Sequence, residues 1–75
     1  MKNNLKKIRL YYNLRQIDVA NLLGVKSEDR ISRWEKGTAM PSVVNLFKLC
    51  EVLKVNPFEI YEMPQKDQLE HSSTQ

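Results

Sequence analysis

The side chains able to do chemistry are few, and that scarcity is the first guide to function. Cys50 is the one cysteine and His71 the one histidine, and His71 lies in a polar tail. Nucleophilic catalysis needs a nucleophile beside a base, and a structural zinc site needs four Cys or His ligands. Neither set can be assembled here, and a lone cysteine excludes an internal disulfide. Gly24 and Gly37 are the only glycines, so no glycine-rich phosphate loop is present. The expectation is a protein with no catalytic residue, no cofactor and no metal. Cys50 reads as a small core residue, with a redox sensor as the weaker alternative. His71 reads as inert.

What remains is charge. Met1 to Asn56 carries eleven Lys/Arg against five Asp/Glu, a net +6, whereas Pro57 to Gln75 carries one Lys against four acids, a net −3. A basic globular part favours polyanions, with nucleic acid first and an acidic membrane surface second. No apolar run approaches the roughly 20 residues that span a bilayer, and Met1 to Leu10 lacks the apolar core of a secretory signal. A cytoplasmic location without membrane contact is expected.

The elements that must position these charges are short helices separated by regularly spaced breakers. Asn3-Asn4 can cap a first helix, whose Leu5, Ile8 and Tyr12 share one face. Asn13-Leu14 interrupts it. A second helix runs from about Gln16 to Leu23 with Val19, Ala20 and Leu23 inward, and Gly24 sits at the C-cap. Ser27 is a candidate N-cap for a third helix, and Glu28 and Asp29 suit the positive end of its dipole. Ile31 and Trp34 face the core, and Gly37 ends the helix. Pro41-Ser42 opens a fourth, with Leu46, Leu49, Cys50 and Leu53 as its stripe. Asn56-Pro57 opens a fifth, with Glu59 completing a capping box and Phe58 and Ile60 pointing inward. Residues 1–63 are read as one domain and residues 64–75 as a disordered polar tail.

A helix ending in glycine, a tight turn and a second helix make the helix-turn-helix pattern. The segment QIDVANLLGVKSEDRISRWEKG, Gln16 to Gly37, resembles the Cro/repressor-type (XRE) helix-turn-helix family. The resemblance rests on Gln16, Ala20, Gly24-Val25 and Ile31 to Gly37, followed by Pro41, the helix Val43 to Leu53 and Val55 to Ile60. It covers about Leu5 to Tyr61 and implies an all-α, five-helix lambda-repressor-like DNA-binding domain with its helix-turn-helix at helices two and three. Two departures stand out. Five residues, Lys26 to Arg30, separate Val25 from Ile31, where the family usually has four. Arg15 stands where the family usually has a small capping Ser or Thr.

The resemblance also implies roles. The start of helix three enters the major groove, so Glu28, Asp29, Arg30, Ser32 and Arg33 are the expected base-contacting residues. Arg33 can donate two hydrogen bonds to guanine O6 and N7. The acids Glu28 and Asp29 either accept from cytosine N4 or serve only the helix dipole. Arg15, Gln16, Lys26, Lys36, Gly37 and Thr38 are the expected phosphate contacts, which fix register without reading sequence. Arg9 and Glu35 match positions that pair inside the domain, as a structural ion pair. Trp34 reads as core rather than as a stacking platform.

The implied partner is double-stranded DNA, bound by a homodimer on a palindrome. The dimer surface expected is the end of helix four, the turn at Asn56 and helix five. The alternative is an antitoxin or protein-interaction module whose tail binds a partner protein. Ile17 and Leu22, apolar where the family is usually polar, are either scattered surface residues or, with Tyr11, a patch for such a partner.

Overall fold

The computed structural model describes residues 2–61. Five helices follow in order: α1 (Leu5–Tyr11), α2 (Gln16–Leu23), α3 (Glu28–Lys36), α4 (Val43–Leu53) and α5 (Pro57–Ile60). The expected tail, residues 64–75 with His71, lies outside the described residues. None of the helices is long and apolar enough to cross a membrane.

Local chemistry sets most of the boundaries. Gly24 and Gly37 end α2 and α3 in left-handed conformations, φ +75° and +80°. Glycine adopts these without the Cβ clash that penalises other residues. Ser27 caps α3 by accepting from the Asp29 N–H at 3.1 Å. Ser42 does the same for α4 from Asn45. Asn56 and Glu59 form the reciprocal box that starts α5, with bonds of 3.1 and 2.7 Å. At the first helix Asn3 is the acceptor, taking the Leu5 N–H. Asn4 instead reaches α5, through its backbone N–H to Ile60 O at 2.7 Å and its amide to Glu59 O.

The core joins all five helices. Leu5, Val19, Ala20, Leu23, Ile31, Trp34, Leu49, Leu53, Ile60 and Tyr61 are buried. Leu46 and Cys50 pack against this cluster from its margin, and burial pushes the Cys50 thiol up from its ordinary value, so the thiolate that would react is disfavoured.

Two expected inward residues point elsewhere. Tyr12 follows the last residue of α1 and is 40% exposed, edge-on to the Tyr11 ring. The helix stops one residue too soon for the Leu5–Ile8–Tyr12 face, and Arg9 joins Leu5 as its other buried residue. Phe58 is 59% exposed. Helix α5 has a single turn, and Ile60, two residues and about 200° further round, takes the core position. Tyr61 fills the place next to it.

The turn between α2 and α3 ends at the Ser27 cap. Lys26 lies ahead of the Ser27 cap, and Ile31 is fully buried at the fourth helical position with Trp34 one turn on. The start of α3 therefore keeps a regular register.

Candidate nucleic-acid interface

The inner side of α3 is fixed by a polar network as well as by Ile31 and Trp34. Arg9 donates from Nε to Glu35 Oε2 at 2.5 Å and from Nη2 to Oε1 at 3.2 Å. Its Nη1 donates to Leu14 O at 2.7 Å. Both side chains of the pair are over nine-tenths buried. Gln16 adds a third donor, Nε2 to Glu35 Oε1 at 3.0 Å. One carboxylate thus ties together α1, the start of α2 and the last turn of α3. Such a pair is costly to break, because the surviving charge would be left buried alone.

With one side held, the opposite side of α3 faces solvent. Asp29, Arg33 and Lys36 recur at i, i+4 and i+7 and are all exposed. Glu28 and Arg30 are exposed on either flank, and Ser32 is half-buried. Arg30 and Arg33 line an open notch of about 340 Å³ shared with Met40, Ser42 and Asn45. Sequence reasoning had not placed those last three residues beside α3. Only the packing of the α3–α4 loop brings them there.

The expected phosphate contacts fall into two groups. Lys26 and Lys36 are exposed on the two sides of α3. At the end of α3 the Gly37 N–H donates to Trp34 O, and the N–H and hydroxyl of the exposed Thr38 donate to Arg33 O. These donors close the helix end, and Lys26 and Lys36 are the exposed cations beside α3.

At the start of α2 no side chain caps the helix, and Asp18 reaches back to Arg15 instead. Asp18 accepts the Arg15 backbone N–H at 2.7 Å, and also Arg15 Nε and Nη2 at 3.1 and 2.9 Å. The bonds from Arg15 hold the Asp18 carboxyl below the usual carboxylate range. Arg15 stays largely exposed and is anchored beside the helix N-terminus, a place that favours anions. Sequence reasoning missed Asp18. The available signal was an acid three residues after the N-cap, the second half of a capping box.

Of the three possible patch residues, Ile17 packs against the core, while Leu22 and Tyr11 are exposed. More apolar surface lies on α4, where Val43, Val44 and Phe47 are each more than 60% exposed.

Comparison with known proteins agrees with this architecture. The helix-turn-helix family matches residues 5–60. An uncharacterized HTH-type transcriptional regulator of Methanocaldococcus jannaschii is 42% identical over 64 residues, 83% of this chain and 96% of that protein. The crystal structure of the restriction-modification controller protein C.AhdI from Aeromonas hydrophila is similar with a TM-score of 0.68 and 29% identity, over 77% of this chain and 86% of that one. Because the matched span runs from the first residue of α1 to the last of α5, the chain belongs to the helix-turn-helix family.

Proposed function

We propose that this helix-turn-helix transcriptional regulator acts as a homodimeric, cytoplasmic repressor that reads a palindromic operator with α3. One observation carries the reading. Helix α3 is fixed from behind by Ile31, Trp34 and the Arg9–Glu35–Gln16 network, and presents Asp29, Arg33 and Lys36 outward in one line. A helix so held, with polar side chains free to meet base edges, suits the major groove of B-DNA.

In this proposal Arg33, Asp29, Arg30, Glu28 and Ser32 face the bases. Arg15, Gln16, Lys26 and Lys36 hold the phosphates. Gln16 gives Nε2 to Glu35 through one N–H and keeps the second amide N–H for the backbone of the DNA. A module this small makes few base contacts, and a two-fold dimer doubles them. Phe47 and Phe58, exposed on α4 and α5, are the apolar residues offered to a second copy.

The test is selection from a random pool of short duplexes at about 150 mM salt. A palindrome with half-sites about 10 bp apart is expected. About six Lys/Arg phosphate contacts per dimer give a log–log salt slope of about −5. Recovery of no motif, with salt-sensitive binding to every duplex alike, would reject the reading.

A further inference from the structure

We infer that Asp29 and Arg33 together select a half-site holding a cytosine and a guanine within two base steps of each other, with Asp29 reading the cytosine. The inference rests on α3 being the reading helix and names the bases that this helix would accept.

The geometry is simple. Residues 29 and 33 stand one turn apart on the outward line of α3, about 6 Å along its axis at 1.5 Å per residue. Successive bases on one strand are about 3.4 Å apart. The two side chains therefore meet bases no more than two steps apart. The ion pairs found among the described residues are Arg9–Glu35 and Arg15–Asp18. Asp29 and Arg33 belong to neither, so both side chains are available to a partner.

Asp29 is not required as a cap. Ser27 already accepts the Asp29 N–H, and Glu28 supplies a negative charge in the same turn. A second exposed acid on a helix facing a phosphate backbone is repelled by that backbone, so it weakens binding unless it gains a partner. An ionised carboxylate only accepts hydrogen bonds. In the major groove the donors are cytosine N4 and adenine N6. Beside adenine N6 lies N7, an acceptor that repels a carboxylate, whereas cytosine offers its amino group without a neighbouring acceptor on the same base. Guanine and thymine present acceptors to the groove and are rejected. Arg33 has the complementary requirement, since its paired donors fit guanine O6 and N7.

The experiment compares motifs recovered from the same random pool by the wild-type chain, Asp29→Asn and Arg33→Gln. Thermal melting confirms that each variant is folded. The wild type should recover a half-site with C and G within two steps. Asn pairs with adenine N6 and N7, so Asp29→Asn should change the cytosine to adenine and leave the guanine in place. It should lose on the order of ten-fold affinity for the wild-type site and gain affinity for random duplex. Arg33→Gln should change the guanine to adenine and keep the cytosine. If the wild type recovers a motif and folded Asp29→Asn recovers the same one, Asp29 serves only the helix dipole and the inference is overturned while the DNA-binding reading stands. If the wild type recovers no motif, both fail together.

Discussion

Gln16 donates its side-chain amide to Glu35 at 3.0 Å, on the same carboxylate that Arg9 grips with two nitrogens. The first residue of α2 is thereby locked to the last turn of α3, the helix proposed to read the bases. Any shift of α3 would have to break a buried, three-donor arrangement.

The first consequence is energetic. Arg9→Ala leaves the Glu35 charge buried without its partner, at a cost of about 3–5 kcal/mol. A domain of this size has about 3–9 kcal/mol in total. Thermal melting followed by circular dichroism should show the melting temperature lowered by at least about 12 °C. Replacing both partners, Arg9→Met with Glu35→Leu, should recover most of the loss. A single variant melting within a few degrees of wild type would show that the pair is not a structural tie.

Asp18 gives a pH dependence. Its folded-state pKa is lowered, first by the hydrogen bonds of the Arg15 guanidinium and then by the Arg15 N–H. A lowered carboxylate contributes stability that is fully present above its unfolded value, near 3.9, and is lost as pH falls through the folded value. The melting-temperature gap between wild type and Asp18→Asn should be constant above about pH 5 and close below about pH 4. A gap that persists unchanged at pH 2 would mean that the carboxylate charge is not what stabilises the start of α2.

Gly24 isolates backbone strain from packing. An added Cβ would meet nothing within 4 Å, yet φ is +75°. Gly24→Ala should cost about 1–2 kcal/mol in urea denaturation, through the left-handed backbone alone. Gly24→Asn should cost less, because Asn tolerates that conformation. An alanine variant as stable as wild type would indicate that the turn relaxes.

Base and phosphate contacts should separate by variant. Arg33→Ala should reduce discrimination between specific and random duplex by about 1–3 kcal/mol. Lys36→Ala should weaken all duplexes equally and reduce the salt slope by about 1 per protomer. If both variants weaken both kinds of duplex alike, Arg33 contacts the backbone and not a base.

The apolar surface of α4 and α5 tests assembly. Phe47→Glu should convert a dimer to a monomer in sedimentation and lower operator affinity, with the melting of the monomer little changed, because Phe47 is 64% exposed. A dimer that survives the substitution would place the two-fold contact elsewhere.

Much of this fold was legible because its punctuation is local. Ser27, Ser42 and the Asn56–Glu59 box satisfy helix N-termini within three residues, and Gly24 and Gly37 end helices through their own φ angles. Such signals survive in a bare sequence. Tyr12 and Phe58 were misread because inwardness in a helix of one or two turns depends on where the chain stops, and tertiary packing decides that. At the interface, the outward position of Arg33 follows from its spacing to Ile31 and Trp34. The bonds of the Gly37 and Thr38 donors to the end of α3 do not follow from spacing, since they depend on how the loop folds back on Trp34 O and Arg33 O. The Gln16–Glu35 contact joins residues 19 apart, beyond any periodicity argument.

The two caps of α3 have a consequence for how such a protein could change its target. Ser27 fixes the start of the helix by accepting the Asp29 N–H, and Gly37 closes its end in a left-handed conformation. Residues 28–36 thus behave as a cassette between two fixed clamps, held to the body by the side chains of Ile31, Trp34 and Glu35 and, through the backbone, by the Asn3 amide on Trp34 O. If those three anchors are kept, the outward letters can be rewritten without renegotiating the fold, and a new operator vocabulary could be installed in nine residues.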